Sequence, residues 1–449
     1  MPEIGPEHPI TYRQELAAPL FQMLRACESG AVVGAAGMGK SRLIQFILRP
    51  DVRTHYLGDE AESFLFVQIE CNRLAVVSEW GLCELLLTAL IEVAGEHPVA
   101  ASLRNELNQL GREVIVTGNV LPAQRHVELA VRMLCKGPGL KLGLLFDEFD
   151  ELYCNLPAQT LANLRALRDA NKYWLSFLLF LRDHPAQLRP VDECEGFYEL
   201  FSRSVLGLTP YSQEDARRII QQVAARRKHK LEQLDSQTVN TLLHLSGGHP
   251  GLLVALLDAL VDSIPLGTTW TEWAEQRQEV REECRKIWEG LRIAERQTLN
   301  HLAQQISTGF QERQFLLLKG LLREESPRQF TFFSPLFERY SASQTPLTEA
   351  RLHVDEEAGG VWVNGRQSEP LTAKEFKLLT YLNQHLGEIR AIDQIIQHVY
   401  PGAEGYDVDN NAIAALVKRV RDKIEPISKR PQYLINVKGR GYKLLDRPE

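Results

Sequence analysis

Paired cysteine is absent from this sequence. The seven cysteines, at 27, 71, 83, 135, 154, 194 and 284, contain no Cys-x-x-Cys pair. That excludes the common zinc and redox spacings, and an odd, scattered set argues against a disulfide framework. Such usage suits a reducing, cytoplasmic setting with the thiols serving mostly as small core residues. Long apolar runs are missing too: none reaches the ~20 residues a membrane-spanning helix needs, so no membrane partner is expected. The opening stretch MPEIGPEHPITYRQEL has no basic flank followed by an apolar segment, so no secretory leader is expected. No helical, propeller or leucine-rich period repeats along the chain.

What is present is a globular composition, 44% apolar and 24% charged over 449 residues. At roughly 100–200 residues per domain this predicts two to four domains. The net charge of −7 is unevenly spread. From Asn410 onward ten basic residues (Lys418, Arg419, Arg421, Lys423, Lys429, Arg430, Lys438, Arg440, Lys443, Arg447) face four acids. An acidic chain with a basic end can present one face to nucleic acid, or the basic residues can form a solvated surface.

The segment AVVGAAGMGKSRLIQFIL (Ala31–Leu48) joins a short buried-strand pattern to a helical one. Between them lies G-x-x-x-x-G-K-S, from Gly34 to Ser41. That context is what a phosphate-binding loop requires. Glycines let backbone N–H groups approach phosphate oxygens, and the helix N-terminus adds its positive dipole end. Lys40 is expected on the β- and γ-phosphates of ATP and Ser41 on Mg²⁺. Gly34, Gly37, Met38, Gly39, Lys40, Ser41 and Arg42 form the expected loop contacts.

A second apolar run, LKLGLLFDEFDEL (Leu140–Leu152), ends in Asp147 and Glu148. A buried strand delivering two acids at its C-terminal end suits a nucleotide site in a parallel sheet. Asp147 is expected to hold Mg²⁺, and Glu148 to orient or deprotonate the attacking water. The competing reading is a strand followed by an acidic turn, which Asp150 and Glu151 supply. SFLFVQIEC and YWLSFLLFL read as further buried strands, and EWGLCELLLTALIEVAG and LANLRALRDANK as helices. The alternation predicts an α/β domain with a parallel sheet.

These two motifs make Pro9–Ser341 resemble the AAA+/STAND class of P-loop ATPases, near the archaeal origin-recognition initiators. RSVLGLTPYSQEDARRII resembles the strand and turn leading to that class's helical lid, and SGGHPGLLVALLDAL its Gly-x-Pro lid motif. The resemblance implies that Pro250 packs on adenine. His249 falls at the start of the lid helix, as a nucleotide sensor or as a surface or capping residue. Arg182 or Asp183 falls at the polar sensor position, where asparagine or threonine is commoner. Arg165, Arg168 and Arg203 are the arginine-finger candidates, with solvated charges or structural ion pairs as the alternative. Cys284–Ser341 resembles the small winged-helix domain that follows such modules, and its few basic residues argue against DNA binding there.

After the polar stretch SASQTPLTEA, short alternating strands surround EAGG and VNGR. Thr372 and Glu375 have capping-box spacing. A second helix AIDQIIQHVY follows, then the loop Tyr400–Asp409. A third helix carries apolar residues at Ile413, Leu416, Val420 and Ile424, and YLINVKGRGYKLL closes as a basic hairpin. LTAKEF, VKRVRDKIE and INVKGRGYKL make Arg351–Leu445 resemble the OmpR/PhoB-type winged-helix DNA-binding domain. The resemblance makes 410–424 the recognition helix. Asn410, Asn411, Lys418 and Arg419 then meet double-stranded DNA, and Lys438 and Arg440 reach from the wing. Arg421 is a structural candidate. The Tyr400–Asp409 loop occupies the place of RNA polymerase contacts. Ala414 and Ala415 stand where polar or bulkier residues are usual, which implies modest base reading.

The expected architecture is therefore multidomain. Residues 1–205 form the P-loop α/β core, 206–280 a helical lid and 281–340 a small winged helix. Residues 341–350 are a linker and 351–449 an α+β winged helix. The expected function is that of a bacterial, ATP/ADP-switched transcriptional regulator with slow ATPase activity, a homo-oligomer in one nucleotide state. The rival is an ATPase machine assembling on DNA in defence, transposition or replication control.

Overall fold

The computed structural model describes residues 8–74, 76–226, 234–262, 269–304, 310–326, 329–344, 352–356, 359–363, 366–400, 410–425, 431–437 and 440–446. The chain divides into two compact units, Met1–Gln344 and Thr345–Glu449.

The first unit is built on a parallel sheet of β1 (Gly30–Val33), β2 (Phe64–Glu70), β3 (Lys141–Asp147), β4 (Leu175–Leu181) and β5 (Val205–Gly207). Their spatial order is β2-β3-β4-β1-β5, with every pairing parallel. β1 and β4 are buried at every position, because helices cover both faces and each strand can be apolar throughout. Side chains alternate between two cores. Val32, Leu145, Leu178 and Phe180 face one; Leu144, Phe146, Leu179 and Leu181 face the other.

Helices Glu79–Glu96, Arg104–Thr117 and Val120–Lys136 join β2 to β3. The second and third were not anticipated from the sequence. Beyond β5 come the helices Gln213–Arg226, Ser236–Ser246, Pro250–Asp262, Trp270–Glu275 and Gln278–Glu289. Helices Ile293–Ala303 and Phe310–Leu318 lead to the ribbon β6 (Leu322–Ser326) and β7 (Gln329–Phe332), then to a helix Pro335–Ser343. Leu252, Trp288, Phe333 and Phe337 share one core with Val32 of the sheet. The polypeptide is thus helical to 343, past the expected linker start at 341, and 345–350 lie outside the described residues.

The second unit opens with an antiparallel sheet of β8 (Leu352–Asp355), β9 (Gly360–Val363) and β10 (Arg366–Gln367). Helices Ala373–Asn383, Ile392–Val399 and Asn410–Ile424 precede the hairpin β11 (Leu434–Val437) and β12 (Gly441–Leu444). Thr372 and Glu375 form the capping box. Ile413, Leu416, Val417, Val420 and Ile424 are buried, so the expected apolar stripe is the core face of the third helix.

Candidate functional sites

β1 runs into a loop whose Gly37 and Gly39 have φ of 75° and 92°, left-handed values that favour glycine. Gly37 also needs its bare Cα, because a Cβ there would lie 2.2 Å from Glu283 Oε1 and 2.8 Å from His249 Cε1. The helix Lys40–Leu48 starts directly after Gly39. Lys40 Nζ donates to the carbonyls of Gly34 at 2.6 Å and Ala35 at 3.4 Å. Burial pushes this ammonium down to about 8, and Asp150 and Asp147 pull the other way. The Met38 side chain is wholly buried, so only its backbone is available to a ligand. Ser41 and Arg42 are exposed.

Beside the loop, β3 ends in Asp147, 7% exposed. Burial raises its carboxyl above the usual range although the Ser41 hydroxyl is in hydrogen-bonding reach. Asp147 Oδ1 is buried with no hydrogen-bond partner among the described residues. Glu148 follows at φ 55°, a backbone region costly for a non-glycine residue, and its Oε1 lies 3.4 Å from the Arg182 guanidinium.

Asp150 is more than part of an acidic turn. Its Oδ1 accepts the backbone N–H groups of Arg182 at 2.9 Å and Asp183 at 3.4 Å, so it holds the end of β4. Arg182 and Asp183, the two sensor-position candidates, have different surroundings. Arg182 faces Glu148; Asp183 turns the other way, to Lys319. Among the finger candidates, Arg165 pairs with Asp169 and Arg168 donates to the Cys27 carbonyl, while Arg203 is exposed.

The loop, Glu148 and Arg182 border a cavity of about 1080 Å³ between the loop and the helices Pro250–Asp262 and Gln278–Glu289. Residues 35–42, Glu148, Arg182 and Pro250 line it, which brings the expected loop, acid and lid residues together. Gly34 stands behind the lining, where an added Cβ would meet Leu208 Cβ at 2.9 Å. The wall opposite the loop is acidic: Asp258, Glu279, Glu282, Glu283 and Glu289, with Arg285 and Lys286.

His249 is wholly buried. Its Nδ1 accepts the Leu252 N–H at 3.2 Å, which leaves Nε2–H to donate to the Ala36 carbonyl at 3.1 Å. It both caps the helix Pro250–Asp262 and ties it to the loop after β1. Burial drives its pKa down to about 3.

Arg13 was missed in the sequence. Its guanidinium donates to Met38 O at 2.9 Å and Thr209 O at 2.5 Å and lies 4.5 Å from the Tyr211 ring centroid. It pins the loop after β1 to the segment that follows β5. It stands just before the helix Gln14–Arg25, and nothing in the local sequence singles it out.

In the second unit Lys418, Arg419 and Arg440 are exposed. Arg419 Nε also lies 3.6 Å from the buried Glu375 carboxylate, which holds Lys423 at 2.7 Å. Arg421 donates twice to Leu434 O, at 2.9 and 2.7 Å, the structural part anticipated for it. Ala414 and Ala415 are exposed. Lys438 and loop residues 401–409 lie outside the described residues, as do the side chains of Asn410 and Asn411.

Comparison with known proteins matches two family descriptions. "Novel STAND NTPase 1" covers residues 11–331 and "Transcriptional regulatory protein, C terminal" covers 366–444. The sensory transduction protein RegX3 of Mycolicibacterium smegmatis is 41% identical over 100 residues, 22% of this chain and 42% of that protein. The transcriptional regulatory protein YvrH of Bacillus subtilis is 32% identical over 85 residues, 19% of this chain and 35% of that protein. The chain thus spans well under half the length of these curated relatives. Among solved structures, a Walker-type ATPase of Pyrococcus abyssi aligns at 14% identity over 74% of this chain and 98% of its own, with a TM-score of 0.46. The ORC2 protein of Aeropyrum pernix aligns at 15% identity over 75% and 93%, with a TM-score of 0.43.

Proposed function

The chain belongs to the novel STAND NTPase 1 family, and we propose that it is a nucleotide-switched, DNA-binding transcriptional regulator of bacterial type. One observation carries this reading. The phosphate-loop residues, Glu148 and the lid residue Pro250 border a single cavity in a chain whose other unit matches a transcriptional-regulator domain.

Loop N–H groups and Lys40 are suited to the phosphates of ATP or ADP, and Pro250 to the base. The buried, unpartnered Asp147 Oδ1 beside the Ser41 hydroxyl is a hard-oxygen donor set that fits Mg²⁺. Bound there, Mg²⁺ would supply positive charge against the β- and γ-phosphates. Glu148 stands at the cavity wall, where it would orient a water and take its proton. Its pairing with Arg182 at 3.4 Å restrains the carboxylate, which favours slow turnover. Exposed Lys418, Arg419 and Arg440 support contact with double-stranded DNA by the third helix and the hairpin of the second unit, together with Asn410, Asn411 and Lys438. The loop from Tyr400 to Asp409 is the proposed RNA polymerase contact, and one nucleotide state the proposed homo-oligomer.

The test is selection of bound sequences from a random duplex pool by the full chain with ATP, followed by turnover assays with the selected site. One defined site with slow turnover that DNA does not stimulate is expected. Sequence-independent binding with steady, DNA-stimulated turnover would replace the regulator by an ATPase machine.

A further inference from the structure

Lys319 sits between the helix Phe310–Leu318 and β6, 1% exposed. An ammonium has three N–H donors, and here each meets a carboxylate oxygen: Asp183 Oδ1 at 2.5 Å and both Glu295 oxygens at 2.7 Å. Glu295 is 0% exposed. It belongs to the first turn of the helix Ile293–Ala303, and its Oε2 also accepts the Arg292 N–H at 3.0 Å. A buried base and a buried acid therefore close on one another, with the partly exposed Asp183 carboxylate, 17% accessible, completing the cluster at its edge.

Asp183 is the second residue beyond β4 and stands next to the cavity. Its N–H and that of Arg182 are both held by Asp150 Oδ1, and the Arg182 side chain meets Glu148. One short stretch, Arg182–Asp183, thus has a guanidinium on the cavity wall and a carboxylate bound to Lys319. A buried cation between two carboxylates keeps its favourable energy only while both hold position, because charges in a low-dielectric interior interact steeply with distance. An apolar contact of equal volume would tolerate sliding; this one does not.

We propose that Asp183, Lys319 and Glu295 are positioning residues that transmit nucleotide state from the end of β4 to the segment 293–332. The relay rests on the reading of the cavity as a nucleotide site. A change in the contact between Glu148 and the terminal phosphate moves Arg182, and with it the backbone of Asp183. Lys319 passes that displacement to Glu295 and the helix it caps.

Hydrogen exchange on the full chain tests the relay in ADP and in a non-hydrolysable ATP analogue. Calorimetry measures analogue affinity in parallel. In the wild-type chain the two nucleotides should change exchange rates in 293–332 by about fivefold or more, and Lys319→Met should shrink the difference below about twofold while affinity changes by less than about twofold. If Lys319→Met does not fold, Glu295→Gln serves. It keeps the capping bond at Arg292 and leaves a one-to-one ion pair, and it should at least halve the nucleotide-dependent difference. A folded variant with the full wild-type difference overturns the relay. Nucleotide binding by the wild-type chain with no exchange difference in 293–332 also overturns the relay but leaves the cavity reading standing. No nucleotide binding by the wild-type chain overturns both.

Discussion

Lys40 carries two functions that its surroundings set against each other. Buried against the loop carbonyls, its ammonium is pushed down to about 8; phosphates beside it favour the charged form. Nucleotide binding at about pH 8.5 should therefore take up a proton, whereas at pH 7 the lysine is already mostly charged and little uptake follows. Calorimetry in buffers of different ionisation enthalpy measures this directly. Lys40→Ala should abolish the uptake and most of the ATP affinity while the fold persists. His249 gives the matching stability prediction. Its folded pKa of about 3 lies below the ordinary histidine value, so the unfolded chain binds one more proton in the window between. Stability should then fall as pH drops below about 6.5, by up to about 1.4 kcal/mol per pH unit. His249→Gln should flatten that slope between pH 7 and 5 in thermal melts, and an unchanged slope would mean the imidazole is not held neutral. At this scale the sequence was legible where chemistry is local: Lys40, Ser41, Asp147 and Glu148 sit in contiguous motifs. Arg13, Asp150, Lys319 and Glu295 were not, because each owes its importance to partners far along the chain, such as Thr209 for Arg13 and Asp183 for Lys319.

At the scale of elements, strand ends and helix starts do the positioning. Glu148 is delivered by β3 and held off the ordinary backbone regions at φ 55°, so its carboxylate direction is fixed by the turn. Glu148→Gln should bind ATP but hydrolyse it about 100-fold more slowly or worse, since an amide cannot accept the proton; equal rates would remove Glu148 as the base. In the second unit two arginines that look alike in the sequence are separated by structure. Arg421→Ala strips the Leu434 carbonyl of both its donors and should cost about 1–3 kcal/mol in thermal or chemical melts. Arg440→Ala, exposed beside the hairpin, should leave stability unchanged. It should weaken DNA binding and reduce the salt slope by about 1 in anisotropy titrations. The reverse pattern would exchange their roles. Strand positions were read well because uniform apolar runs ending in motif residues have few alternative placements. The helices Arg104–Thr117 and Val120–Lys136 escaped notice because apolar residues on their solvent faces blur the pattern: Ile115, Val116 and Leu121 are exposed, while Leu107, Leu110 and Val127 are buried.

For the whole molecule the question is whether one unit governs the other. Each has its own buried core, so each can fold by itself. A switch then requires that ATP and ADP favour different states of the full chain, and a nucleotide shifts an equilibrium only by its differential affinity for those states. Linkage makes the effect reciprocal: whatever factor ATP brings to DNA binding, DNA must bring to ATP binding. The most direct test is fluorescence anisotropy with a selected duplex, using the full chain and the fragment 345–449. Each is titrated in ADP and in a non-hydrolysable ATP analogue. The full chain should bind DNA about fivefold or more tightly with the analogue than with ADP, and the fragment should bind equally in both. Equal affinities for the full chain in the two nucleotides would contradict the account, leaving the two units as uncoupled modules on one chain.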